Sequence, residues 1–180
     1  DRAIRANAEA TGLLMAHCQH AEAALIASTN SVYRANEDPL HRYTETDPLG
    51  DPTAPHSPTY GVSKVSQEAV ARTMARVLDL PTTIARINAS YGPNGGLPAY
   101  HGDWVAAGQP VWLRKPGPNA YSPIHEEDMA HQVAALLDAA STPATIVNWC
   151  GDDMVTAEDW TAAFGAHLGV DPEIAYYGPP

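Results

Sequence analysis

Tyr60 and Lys64 stand four residues apart in "TYGVSK", at the opening of a segment with helical periodicity, so the two side chains share one helix face. A phenol with an ordinary pKa of about 10 is a poor acid or base at neutral pH. A cation within about 4–6 Å favours the phenolate and lowers that value, and Lys64 is one of only two lysines in the chain. Such a pair moves a proton to or from a hydroxyl while hydride leaves or arrives at the carbon that bears it. The alternative reading is an exposed tyrosine beside a solvated lysine. A second stretch, "ASTNSVY" (27–33), ends an apolar run of the kind a buried parallel strand shows. In parallel α/β sheets ligands lie at the carboxyl ends of strands, so Ser28 and Thr29 are expected to project hydroxyls into that crevice. Ser28, Thr29 and Asn30 could equally do no more than satisfy turn amides.

The elements that must position these groups alternate. An amphipathic helix over "DRAIRANAEATGLLMAHC", with Ile4, Ala8, Leu14 and Cys18 as its apolar positions, precedes the strand "AALIAST". A Pro-, Asp- and Thr-rich loop from Arg34 to Pro58 follows. Ser57-Pro58 then starts the Tyr60 helix, with Ser57 as its cap. Val62, Ala69, Thr73 and Val77 are assigned to its buried stripe, and Gln67, Glu68, Arg72 and Arg76 to water. The helix should stop before Pro81. Next come the strand "TTIARIN", an irregular Gly/Pro-rich lobe with a short helix and the strand "VWL", a helix opening on Glu126, Glu127 and Asp128, the strand "ATIVNWC", and a last helix capped by Thr156. This order argues for a partial, doubly wound parallel sheet.

Composition bounds the class of function. Lys and Arg number 10 against 21 Asp and Glu, a net charge of −11, which disfavours nucleic-acid and anionic-membrane partners. No run of about 18 apolar residues occurs. Cys18 and Cys150 form no metal-type spacing and read as buried thiols of a reducing, cytoplasmic compartment. His17 and His20 lack a third ligand, so no metal site is expected.

Together these stretches resemble the extended short-chain dehydrogenase/reductases, in particular their NAD-dependent epimerase/dehydratase branch. "NAEATGLLMAHC" resembles that family's helix with a leading asparagine, "STNSVY" its Ser/Thr-bearing strand end and "YGVSK" its Tyr-Lys helix. "RINASYGP" is similar to its Arg-to-Tyr-Gly-Pro strand and "PIHEEDMA" to its His-x-x-Asp helix start. The resemblance implies a Rossmann-like α/β enzyme using NAD or NADP, with a small C-terminal substrate lobe. Residues 1–88 would be the C-terminal half of the dinucleotide domain, 89–123 and 151–180 the substrate lobe, and 124–150 a helix and strand returning to the sheet. It places Tyr60 as acid/base and in contact with the cofactor, Lys64 on the nicotinamide ribose and Thr29 on the substrate oxygen. Asn7, Ser28, Ile87, Asn88 and Ser90 fall beside the cofactor, and Asn30, Ser31 and Tyr121 beside the substrate.

Three departures refine this. No Gly-rich turn precedes Asn7, so the chain reads as a C-terminal portion that by itself binds cofactor poorly and is inactive. Ala89 stands where nucleotide-sugar members carry an Asn; Asn88 is one residue early and faces the other way along a strand. Tyr121 stands where they carry an Arg on the diphosphate, a contact an aromatic ring cannot make; Arg114 and Lys115 are near enough in sequence to compensate, but read rather as solvated loop charges. The expected substrate is therefore a smaller hydroxy or keto compound. The alternatives are a nucleotide-sugar epimerase and a non-catalytic dinucleotide sensor of the same fold. Dehydration ranks last, because Asn30-Ser31 replace the Asp-Glu of dehydratases. A homodimer is compatible with this reading. His125 could orient the helix start or touch ligand, and His101, Trp104 and Trp112 could wall the substrate lobe or merely pack it.

Overall fold

The computed structural model describes residues 2–50, 59–115 and 117–178. The expected Ser57 cap lies outside them. Two compact units make up the chain: Asp1–Ala35, Tyr43–Ile87 and Ala130–Trp149 form the first, and Asn36–Arg42, Asn88–Met129 and Cys150–Pro180 the second.

The first unit opens with three consecutive helical pieces: α1 (Arg2–Ile4), a π-helical turn (Arg5–Glu9) and α2 (Ala10–His17). After β1 (Ala24–Thr29) and a 3₁₀ turn (Asn30–Val32) come α3 (Tyr60–Leu78), β2 (Thr82–Ile87) and, later in the chain, β8 (Thr145–Trp149). The three strands form one parallel sheet in the order β1-β2-β8. Ile26, Ile84 and Ile146 stand in register across it. With Met15, Ala71, Ala75 and Leu80 they form the core beneath α2 and α3. The two helices approach closely at Gly12, where a Cβ would lie 3.0 Å from Val70 Cγ1. α3 ends at Leu78 with Asp79 in the left-handed region (φ 49°), two residues ahead of Pro81, where the proline was expected to stop it.

Three expectations about burial are corrected. α3 buries Gly61, Ser63, Gln67, Glu68, Ala71 and Ala75, whereas Val62, Ala69, Thr73 and Val77 are exposed. The buried face is thus roughly opposite the expected one at 100° per residue. The physical reason is that small residues let α3 lie close to its neighbours, while Gln67 and Glu68 find polar partners inside. Arg72 and Arg76 do face water. On the first helical segment Ala8, Thr11 and Met15 are buried, and Leu13 and Leu14 are exposed. The π turn shifts the phase of everything after it, which a regular 3.6-residue reading misses. Cys18 is exposed and Cys150 half-buried, so neither is the buried thiol expected.

The second unit contains β3 (Ala89–Gly92), β4 (Gly95–Gly96), α4 (Leu97–Ala106), β5 (Val111–Arg114), β6 (Ala120–Tyr121), β7 (Pro123–His125), β9 (Val155–Thr156), α6 (Ala157–Leu168) and β10 (Ile174–Tyr177). α5 (Glu126–Asp138) begins in this unit and ends in the first. Short pairings β4-β3-β7, β5-β10 and β6-β9 replace a large sheet. Their core is Val105, Val111, Leu113, Ala157 and Trp160. α6 starts with the expected Thr156 cap, completed by Asp159 into a capping box. The bonds from the Thr156 hydroxyl and backbone hold the Asp159 carboxyl below its ordinary pKa.

Candidate active site

The carboxyl ends of β1, β2 and β8 put Thr29, Ile87 and Trp149 in register, and one step earlier Ser28, Arg86 and Asn148. Alternation along a strand sends those two rows to opposite faces. The Ser28 row carries a buried polar network on the α3 side. Arg86 Nε and Nη2 donate to Glu68 Oε1 and Oε2 at 2.9 and 2.7 Å, with both side chains about 2–3% exposed. Ser28 Oγ donates to Glu68 Oε1 at 2.6 Å. Arg86 Nη1 donates to the Tyr33 hydroxyl at 2.9 Å, and that hydroxyl donates to Asn148 Oδ1. The loop after β1 is tied in as well. Glu45 O accepts from Arg86 Nη1, Glu45 Oε1 accepts from the Asn148 amide at 2.7 Å, and Tyr43 stacks on Tyr33 at 4.8 Å. Burial alone would lower the Arg86 pKa, but its bonds to Glu68 and Tyr33 raise it overall. Burial pushes the Tyr33 phenol up.

This network corrects one expectation. Ser28 does not project into the crevice beside Thr29, because its hydroxyl is spent on Glu68. Thr29 is the hydroxyl on the other row. It is buried, its Oγ1 accepts from the Ser31 amide at 3.2 Å, and its own contacts to Ser31 Oγ and Asn30 Oδ1 are long, at 3.3 and 3.5 Å. At those distances its proton remains available to a better acceptor.

Tyr60 and Lys64 lie on the first turns of α3, which packs against β1 and the 3₁₀ turn after it. Lys64 Nζ is 6.0 Å from the Tyr60 ring centroid. It donates to Ala27 O and to Gln67 Oε1, both at 2.9 Å. The bond to Ala27 docks the ammonium onto β1 two residues before Thr29, so one carbonyl links the strand end to the Tyr-Lys helix. Burial lowers the Lys64 pKa, and the Glu68 carboxylate opposes that. The Tyr60 ring is 37% exposed, and its hydroxyl has no hydrogen-bond partner among the described residues. Asn7 sits within the π turn and donates from Nδ2 to Ser63 Oγ at 2.8 Å. These residues fit the ribose end of a nicotinamide dinucleotide. A lysine ammonium has three donors, and two are used among the described residues, which leaves one that a ligand hydroxyl could accept.

In the second unit Asn88 Oδ1 accepts from the Ser122 amide at 3.2 Å, and Ser90 is exposed. Tyr121 packs on Trp160 at 5.4 Å, and burial raises its pKa. His125 Nδ1 accepts from the Glu127 amide, orienting the start of α5. His101 and Trp104 belong to lobe packing: they stack at 5.3 Å, and His101 Nδ1 accepts from Trp160 Nε1 at 2.9 Å. Trp112 is exposed. A cleft of about 500 Å³ in this unit, lined by Gly92, Asn94, Tyr100, Asp103, Phe164 and His167 among others, contains none of the expected site residues. Among the described residues no group of three or more His, Cys, Asp or Glu could hold a metal, and no helix is long and apolar enough to cross a membrane.

His101 carries a pH prediction. Burial depresses its pKa, so below its ordinary value of about 6.5 the unfolded chain takes up a proton that the folded one resists. Stability should fall as pH drops through that value and level off below the folded-state pKa. His101→Gln keeps an acceptor for Trp160 and should remove this component. Melting temperatures between pH 7.5 and 5 that ran parallel for parent and variant would contradict it.

Sequence reasoning missed Glu68, Tyr33, Gln67 and Asn148. Arg86, a charged residue inside an otherwise apolar and β-branched strand, was the signal that a buried counter-charge had to exist.

A parallel sheet with a Tyr-Lys helix laid against a Thr-ended strand defines a Rossmann-like α/β fold. Residues 1–150 match the profile of the NAD dependent epimerase/dehydratase family, and the chain belongs to it. No curated protein matches by sequence. Solved structures similar to it include a dTDP-glucose 4,6-dehydratase from Bacillus anthracis in complex with NAD (23% identity, TM-score 0.75, covering 93% of this chain and 53% of that one). A dTDP-glucose 4,6-dehydratase from Streptomyces venezuelae with NAD and TYD bound is similar at 24% identity and a TM-score of 0.78, over 97% and 53% of the two chains. The UDP-glucuronic acid 4-epimerase from Bacillus cereus, in complex with UDP-glucuronic acid and NAD, gives 20% and 0.75, over 94% and 54%. The chain spans about half the length of these relatives, and at such identities the likeness establishes the fold.

Proposed function

We propose that this chain carries the acid/base half of an NAD(P)-dependent oxidoreductase or epimerase acting at a secondary alcohol or ketone. The observation that supports it most is the Lys64 ammonium, held 6.0 Å from the Tyr60 ring and bonded to the strand that ends in Thr29. The dinucleotide, when bound, supplies the acceptor or donor of hydride. Tyr60 takes the proton from the substrate hydroxyl, or gives it to the carbonyl oxygen. Lys64 sets a positive charge beside the Tyr60 ring and offers the N–H left over among the described residues to a ribose hydroxyl. Thr29 donates to the substrate oxygen. Ile87, in register with Thr29, lines the same strand ends. Oxidoreduction or epimerisation is favoured over dehydration, because Asn30 and Ser31 follow Thr29.

For the substrate we propose a hydroxy or keto compound without a nucleotide. Ala89 is buried and apolar, the Asn88 side chain bonds the Ser122 amide, and Tyr121 packs on Trp160. Each diphosphate contact forgone is worth about 1.5–3 kcal/mol, so the loss of two weakens a nucleotide-sugar by roughly a hundredfold or more. The relatives named above act on or are bound to dTDP- and UDP-linked compounds, which is the competing reading. Titration of the full-length protein with NADH and NADPH, then thermal-shift screening of UDP-, GDP- and dTDP-sugars with the cofactor present, decides between them. Saturable stabilisation by one nucleotide-sugar would return the protein to that class, and failure to bind either cofactor would sink the enzymatic reading. A cytoplasmic homodimer completes the proposal. Exposed Leu13, Leu14, Val62 and Val77 on α2 and α3 give it an apolar surface to bury, and light scattering reads the oligomeric state.

A further inference from the structure

Five hydrogen bonds run head to tail from the Lys64 ammonium back to the Tyr60 carbonyl. Lys64 Nζ donates to Gln67 Oε1 (2.9 Å), and Gln67 Nε2 donates to Thr11 Oγ1 (2.9 Å). Thr11 Oγ1 donates to Asn7 O (2.6 Å), Asn7 Nδ2 donates to Ser63 Oγ (2.8 Å), and Ser63 Oγ donates to Tyr60 O (2.7 Å). The directions are forced. An ammonium can only donate, so the Gln67 oxygen faces it and the Gln67 NH₂ faces Thr11. The π turn matters because Thr11 bonds the carbonyl of Asn7 within it. Gln67 is 8% exposed, so its amide is not a solvated surface group.

We infer that Gln67 is a positioning residue for Lys64, anchored by Thr11 and the π turn, and that it sets the direction of the ammonium N–H left uncommitted among the described residues. This rests on Lys64 being the cation that meets the cofactor. A lysine on a flexible four-carbon stem would otherwise lose rotamer freedom when ligand binds. Two protein acceptors, Ala27 O and Gln67 Oε1, impose that order beforehand. With two N–H bonds fixed, tetrahedral geometry fixes the third. Gln67 itself touches neither substrate nor cofactor in this assignment.

The test uses the full-length protein and two readouts. Side-chain ¹⁵N NMR of the lysine ammonium, with the Lys64 signal identified by its loss in Lys64→Met, should show slow proton exchange. Gln67→Leu should speed that exchange by about tenfold, as expected for a lost bond to a charged group. Gln67→Glu, which keeps an acceptor for the ammonium but cannot donate to Thr11, should restore it in part. Thr11→Val, which removes the anchor together with its bond to the Asn7 carbonyl, should shift it in the same direction by less, and it gives a second route if Gln67→Leu folds poorly. NADH titration should show about tenfold weaker binding in Gln67→Leu, with partial rescue by Gln67→Glu, and no further loss when Lys64→Met is already present. Unchanged ammonium exchange in both Gln67→Leu and Thr11→Val overturns the inference. So does an equal NADH loss with and without Lys64, which is the signature of packing alone. If Tyr60→Phe proved fully active, the catalytic reading would fall while the NMR arm still reported on the Gln67–Lys64 contact.

Discussion

Replacing Tyr60 by phenylalanine in the full-length protein should lower turnover by about 10²–10⁴-fold, the usual worth of a positioned general acid or base. The ring is 37% exposed and its hydroxyl has no partner among the described residues, so removing one oxygen leaves no buried group unsatisfied. Melting temperature should therefore hardly move. Cofactor affinity should hold too, because Lys64 keeps its bonds to Ala27 and Gln67. Steady-state rates, melting curves and NADH titration of the same preparation separate these effects. Parental turnover by the phenylalanine variant would remove Tyr60 from the mechanism.

The second large effect is on stability. Glu68→Leu leaves the Arg86 guanidinium buried without its counter-charge, and breaking one side of a buried pair costs about 3–5 kcal/mol. For a chain of this size that corresponds to a loss of roughly 6–20 °C in melting temperature. Ser28 and Tyr33 would each lose a bonded partner's charge or geometry as well, since both bond to the same pair. The double variant Glu68→Leu/Arg86→Met removes both charges and should be milder than Glu68→Leu alone. Melting curves for the two single variants and the double variant decide it. A double variant less stable than Glu68→Leu would mean that packing, and not charge burial, dominates there.

What the sequence determined by itself is the set of elements and the placing of the Tyr60–Lys64 pair on one of them. The alternation of β-branched runs with helices is local, and so are the Thr156 cap, the acids opening α5 and the stop before Pro81; each appears where local rules put it. Tyr60 and Lys64 were legible because a four-residue step brings them to one helix face whatever that helix packs against. Tertiary structure decided which face of α3 is inside. Periodicity favoured Val62, Ala69, Thr73 and Val77, but the buried face is built of glycine, serine and alanine around Gln67 and Glu68. That choice depends on Arg86 and Ser28 from the strands and Thr11 from another helix, partners 18 to 56 residues away that no local window contains. The π turn likewise rotates α2, so Leu13 and Leu14 face out and Met15 faces in. Ser28 and Thr29 are neighbours with the same chemistry, and the sheet separates them. Strand alternation gives Ser28 to Glu68 and turns Thr29 to the opposite face, because the buried Glu68 carboxylate that pairs with Arg86 also takes the Ser28 hydroxyl as a donor.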